Sequence, residues 1–245
     1  MGTFWTEKTL QMYQDACDFV HYPEIPLQKH FAAIIRPDDT VMDIGSGSGA
    51  TAIYLSSFCK KVIAVEQDEL ACNHLQKQID AKGIKNIEII NKDWPDVQLK
   101  ACDVTIMLYV AQKSLLPREK IRALIQSTRR IGIFLSTHSG GLDFRDALLR
   151  RLGLVPKAPR CLNACRTFAM LEVEGAKVHC ERIEHEFGQP VENLDDAAFF
   201  LSNQLHLGNE YLPEVRKAAE EYVETRRGKL YIPKKLVNCL LTFEV

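Results

Sequence analysis

The chain has 245 residues, 46% of them hydrophobic and 26% charged, with a formal net charge of −1. That balance suits a globular protein long enough to bury a sizeable core. It excludes the overall basic bias with which proteins usually bind nucleic acid. No stretch has the length and apolarity of a membrane span, and the start lacks a basic-then-apolar leader. The expected location is the cytoplasm, with nucleic acid an unlikely partner and no membrane association. Oligomeric state is not legible.

Up to residue 35 the chain reads as helical, with aromatic groups at Phe4, Trp5, Tyr13, Phe19 and Tyr22. Pro23 and Pro26 break it before a second helix over Leu27 to Ile35. Val41 to Ile44 then reads as the end of a buried strand. Asp43 stands two residues before Gly45, and Gly45, Gly47 and Gly49 alternate with Ser46 and Ser48 ahead of the helix-forming run Ala50 to Phe58. Glycines at a strand-to-helix turn permit positive φ and let a ligand approach the main chain. An acid beside that turn argues against a bare phosphate and for a ligand carrying positive charge. S-adenosylmethionine, with its amine and its sulfonium, is such a ligand. The dinucleotide pattern G-x-G-x-x-G is not met, because Ala50 stands where its third glycine belongs.

Lys61 to Glu66 is a second short apolar run, ending in a carboxylate placed to accept hydrogen bonds from ribose hydroxyls. Asp68 caps the next helix, where Ala71, Leu75 and Ile79 recur every fourth residue, and Gly83 stops it. Asn86 to Ile90 reads as a third strand, followed by Asp93 and Trp94, a carboxylate and an aromatic suited to an adenine amine and ring. Ala101 to Val110 is a fourth strand and Arg130 to Thr137 a fifth.

This pattern resembles the class I S-adenosylmethionine-dependent methyltransferases over residues 38–137. The matching residues are Asp43 to Gly49, Glu66, and Asp93 with Trp94. The resemblance implies an α/β fold: a three-layer Rossmann-like sheet, mostly parallel with an antiparallel last strand, plus N-terminal helices and a helical insertion. It implies S-adenosylmethionine as cofactor, with Gly45, Ser46, Gly47 and Gly49 along its methionine part and Asp43 near its amine. Glu66 and Gln67 would lie at the ribose, Asp93 and Trp94 at the base, and Leu108 in the same wall. One domain over 1–245 is expected, with a helical cap at 1–36 that either flanks the sheet or closes over the cofactor mouth.

Further along, Leu142 to Leu152 and Leu162 to Glu174 read as helices and Val178 to Phe187 as a sixth strand. Leu194, Ala198, Leu201 and Leu205 mark one helical stripe and Leu212, Val215, Ala219 and Tyr222 another. Together they suggest a helical insertion over 190–228 that shapes an acceptor pocket, before a last strand from Leu236 to Glu244. Ligands of open α/β sheets bind beyond the carboxyl ends of the strands, which brings Tyr109 and His138 toward the acceptor. Tyr109 and His138 are the candidate catalytic residues, with Tyr109 reading as a wall ahead of an acid or base. His138 is either a base or a strand-end residue bonded to the Ser139-Gly140-Gly141 turn. The other histidines, 21, 30, 74, 179, 185 and 206, show no spacing that suggests a site.

The eight cysteines include no C-x-x-C pair and read as buried free thiols. Cys161, Cys165, His179 and Cys180 match no standard zinc arrangement, so no metal is expected. The fourth strand exits as Tyr109-Val110-Ala111-Gln112, without the Asn/Asp-Pro-Pro-aromatic signature of amino methyltransferases. A small-molecule acceptor is therefore the leading expectation. The alternatives are an RNA or protein methyltransferase using Arg145, Arg150, Arg151, Arg226 and Arg227, and a non-catalytic cofactor-binding module.

Overall fold

Alternation of apolar side chains along short strands explains the centre of the molecule. The computed structural model describes residues 5–110, 118–156 and 162–245, without the side chains of 95, 138–141 and 162–166. Seven strands form one sheet: β1 (Thr40–Ile44), β2 (Lys61–Glu66), β3 (Ile87–Asn91), β4 (Cys102–Leu108), β5 (Thr128–Gly141), β6 (Lys177–Glu186) and β10 (Lys235–Glu244). Their order is β3-β2-β1-β4-β5-β10-β6. β3, β2, β1, β4 and β5 run parallel, and β10 is antiparallel to both of its neighbours, as expected.

Because successive residues of a strand point to opposite faces, each strand feeds two cores. Val41, Val62, Ala64, Val104, Ile106 and Ile133 pack with Leu27, Phe31, Leu55, Leu75 and Ile79. These last belong to helices α2 (Glu24–Ile34), α3 (Ala50–Leu55) and α4 (Glu69–Lys82). Met42, Ile44, Ile63, Val65, Met107 and Phe134 meet Ile121, Leu124 and Leu171 on the other face. There the covering helices are α5 (Arg118–Ser127) and α7 (Leu162–Val173). A helix layer on either face of a mostly parallel sheet is the three-layer arrangement expected from the sequence.

Local chemistry sets the helix ends. Thr6 and Thr9 form a capping box at the start of α1 (Glu7–Val20). The Asp68 side chain accepts from the Leu70 and Ala71 amides to open α4, and Gly83 closes it at φ 65°. Pro26 does not delay α2, which begins at Glu24. A proline in the first helical turn removes only an amide that has no intrahelical partner.

The second half departs further from expectation. β5 runs through Gly141, so residues 139–141 pair with Lys235, Leu236 and Val237 of β10 rather than forming a turn. The insertion holds α8 (Leu194–Leu205) and α9 (Leu212–Tyr222), as expected, and also a small antiparallel sheet. That sheet is made of β7 (Gln189–Val191), β8 (Glu224–Arg226) and β9 (Lys229–Ile232). Strands of three or four residues, one holding Pro190, are too short to show a period of two. A third core joins the insertion to α6 (Arg145–Arg151) through Leu142, Leu148, Val191, Leu201, Val215 and Ile232. Among the described residues, no helix is long and apolar enough to cross a membrane.

Gly132 on β5 pairs with Phe243 on β10, and a Cβ at Gly132 would overlap the Phe243 ring. Gly132→Ala should therefore destabilise by about 1–3 kcal/mol through overpacking. Urea denaturation would measure it, and Phe243→Leu should be less harmful in that background than alone. A neutral Gly132→Ala would remove the close packing.

Candidate functional site

The site grows from the tips of β1, β2 and β4. After Ile44 the chain turns through Gly45, Gly47 and Gly49, all at positive φ, and the Gly45 and Ser46 amides donate to the Val65 carbonyl at 2.8 and 3.1 Å. Gly49, at φ 89°, lies where a Cβ would overlap Leu75, so packing and backbone both require glycine. Gly47, at φ 55°, is open: a Cβ there would come no closer than 3.7 Å to anything, and that neighbour is Trp5. The loop thus has a packed end and a bare middle.

Glu66 holds that middle from behind. One carboxylate oxygen accepts from the Gly47 amide at 2.8 Å and the other from Asp68 at 2.9 Å. Asn91 donates to the carbonyls of Glu66 and Gln67, joining the β3 tip to the β2 tip. Asp43 is 2% exposed, and among the described residues its Oδ2 has no hydrogen-bond partner, as is true of the buried hydroxyls of Ser46 and Ser48. Burial, with the Glu66 charge second, pushes the Asp43 carboxyl up to about 7.

A cavity of about 730 Å3 opens over this loop. Its lining includes Asp43, Gly45, Ser46, Gly47, Leu108 and Tyr109 from the sheet, with Trp5, Thr9, Met12 and Tyr13 from the N-terminal segment. Phe187, Phe200, Gln204 and Lys234 add the insertion side. α1 is held as a roof by four ties to the insertion. Lys8 pairs with Asp196 at 2.7 Å, Gln189 donates to the Met12 carbonyl at 2.9 Å, Arg227 donates to the Phe19 carbonyl at 2.8 Å, and Phe19 stacks on Tyr231.

Six of the sequence-derived residues, Asp43, Gly45, Ser46, Gly47, Leu108 and Tyr109, therefore meet in one wall. Gly49 and Glu66 stand behind the loop. Gln67 is exposed at the β2 tip and Asp93 half-buried past β3, both outside the cavity lining. Trp94 is 4% exposed within the core of Met42, Ile44 and Met107, with its indole N–H unpartnered. His138 falls within β5, and its side chain lies outside the described residues. Cys161 and the side chain of Cys165 also lie outside them, and Cys180 is exposed rather than buried.

Sequence reasoning missed a buried relay behind Tyr109. The Asn238 amide donates to His185 Nδ1 at 3.1 Å, which leaves the imidazole hydrogen on Nε2, 3.3 Å from the Tyr109 hydroxyl. Burial, with Lys234 nearby, lowers His185 to about 4, so the ring is neutral. Burial raises Tyr109 well above the ordinary phenol value. The contact anchors the Tyr109 side chain, in the cavity wall, to the strands behind it. Tyr109, at φ 56°, is thus a wall residue held from behind. His185 and Asn238 lie 53 positions apart on neighbouring strands, and only sheet pairing brings them together.

The arginines of the basic-face alternative are largely engaged. Arg145 pairs with Asp146, Arg151 with Glu221, and Arg226 with Glu186 and Glu224. Arg227 lies over the Phe19 ring.

Comparison with known proteins adds similarities over part of the chain. The family model "Ribosomal RNA adenine dimethylase" matches residues 26–126. "Probable ribosomal RNA small subunit methyltransferase A" of Methanosphaera stadtmanae is 38% identical over 60-odd residues, 25% of this chain and 22% of that protein. "Ribosomal protein L11 methyltransferase" of Alkaliphilus oremlandii is 32% identical over 105 residues, 42% of this chain and 33% of that one. The matches thus span a third or less of those relatives. Among solved structures, the YcgJ protein of Bacillus subtilis aligns with a TM-score of 0.58 at 14% identity, covering 89% of this chain and 97% of that one.

Asp43 supplies a check on the electrostatics. Its folded carboxyl titrates near 7 while an unfolded one titrates near 4, so its protonated form stabilises the fold. That stability is fully present below the unfolded value and lost as pH rises through 7. Asp43→Asn should flatten the fall in stability between pH 4 and 7, by roughly 4 kcal/mol at most. Denaturation at several pH values would measure it; an unchanged profile would place the carboxyl in a wetter setting.

Proposed function

We propose that the chain is a class I (Rossmann-like) S-adenosylmethionine-dependent methyltransferase, a reading supported by its fold and by the family match over residues 26–126, and that it methylates a small-molecule acceptor held in the cavity under α1. The observation that carries this reading is Asp43: a buried carboxylate with an unpartnered oxygen, in the cavity wall beside the bare Gly47. A ligand amine would satisfy that oxygen and favour its charged form.

The residues present fit S-adenosylmethionine. Asp43 would take the amine, while the open Gly47 and the Ser46 hydroxyl would border the methionine part. Glu66 keeps lone pairs beyond its two backbone donors and would accept from the ribose hydroxyls. Asp93, two residues past the β3 tip, would take the adenine amine, while the buried Trp94 is a core residue and not a surface for the ring. When bound, the cofactor supplies an electrophilic methyl group. The chain's own part is to align an acceptor nucleophile and exclude water under α1, with the Tyr109 hydroxyl, anchored on neutral His185, in the wall.

A second reading follows from the family match. Its name, and that of the Methanosphaera relative, point to an adenine in RNA as acceptor, against the sequence expectation that nucleic acid is unlikely. Against it stand the β4 exit, Leu108-Tyr109-Val110-Ala111, which lacks the Asn/Asp-Pro-Pro-aromatic run, and the paired arginines. Methyl-labelled cofactor offered to separated metabolite and RNA pools decides between them. Label in the low-molecular-weight pool supports the first reading, and label in RNA, with salt-sensitive binding, the second.

Two binding measurements test the donor site. Glu66→Ala should weaken S-adenosylhomocysteine by about 2 kcal/mol in calorimetry, through lost charge-assisted bonds; equal affinity would take Glu66 off the ribose. Below pH 7 binding must expel a proton from Asp43, so native affinity should rise with pH up to about 7. Asp43→Asn should abolish that rise.

A further inference from the structure

The acceptor side of the cavity contains a cation that the reading above leaves unused. Lys234 follows β9 and lines the cavity, donating to Gln204 Oε1 of α8 at 2.9 Å. Among the described residues, no carboxylate pairs with it. Lys234 and Asp43 are the charged members of the described lining, one of each sign. A cation removed from water without a counterion is costly, and burial lowers this ammonium from its ordinary value to about 8.

Around it the wall is aromatic. Tyr13 and Phe187 have ring centroids 5.8 Å apart, and Tyr22 meets Phe187 edge-on at 5.2 Å. Tyr109 and Phe200 extend the same lining. Faces and edges of this kind take up a flat ring by offset stacking and edge contact.

We propose that the acceptor is a planar aromatic molecule bearing an anionic oxygen group, with its ring among Tyr13, Tyr22, Phe187 and Phe200 and its anion on Lys234 and the Gln204 amide. This rests on the methyltransferase reading and names the substrate class for the same cavity. The two charges divide the work: Asp43 faces the donor's amine and Lys234 the acceptor's anion. Exchanging the two ligands would place like charges together at both ends, so the cavity orients donor and acceptor by charge.

The competing role for Lys234 is to tie the β9–β10 link to α8. Binding of benzoate, 2-naphthoate and indole-3-carboxylate, each against its primary amide, separates the two. These would be titrated with and without S-adenosylhomocysteine. The native protein should prefer at least one carboxylate over its amide by about tenfold. Lys234→Gln should lose that preference and Lys234→Arg keep it, with S-adenosylhomocysteine affinity unchanged in both. No preference in the native protein, no binding of any aromatic probe, or a preference that survives in Lys234→Gln would overturn the proposal. If Lys234→Gln fails to fold, the native and Lys234→Arg titrations decide it by the same criterion. Discrimination between carboxylate and amide without S-adenosylhomocysteine binding would sink the cofactor reading and leave the anion site standing.

Discussion

Two carboxylates at the tips of adjacent parallel strands set the terms for the rest of this structure. Asp43 and Glu66 are 2% and 8% exposed, and the second raises the first. Glu66 satisfies itself on the Gly47 and Asp68 amides and thereby shapes the loop between β1 and α3. Asp43 has no such outlet for its Oδ2. A buried acid left in that state is a destabilising feature that a cationic ligand would relieve, which is why the glycine loop is proposed as a site.

The sheet order turns this local pair into a cavity. Placing β1 between β2 and β4 puts the Gly45–Gly49 loop beside Leu108 and Tyr109, at the crevice where open α/β sheets bind ligands. α1 then spans from that loop to the insertion, tied by Lys8, Gln189 and Arg227. The roof is aromatic on its inner side, and the far wall carries the cation. The cavity thus draws its lining from both ends of the chain, from Trp5 to Tyr109 and from Phe187 to Leu236 among others.

The comparisons divide along the same line. The family match stops at residue 126, and the relatives matched differ in their named acceptors, a ribosomal RNA and a ribosomal protein. Shared sequence follows the half that carries the glycine loop and Glu66.

By itself the amino-acid sequence determined the local architecture of the first half. Asp43, the glycines, Glu66 and the Asp68 cap sit close together along the chain, each acting through a turn, a strand end or a helix start, and short-range geometry leaves a short-range pattern. β7, β8 and β9 were hidden because three or four residues cannot display a period, and the course of β5 through Gly141 depends on pairing with Lys235 to Val237. The tertiary structure alone decided the relay of Tyr109, His185 and Asn238 and the meeting of Lys234 with Gln204 and an aromatic wall. Those groups lie 30 to 76 positions apart and touch only because the sheet register and the folded insertion bring them there, so no local spacing could announce them.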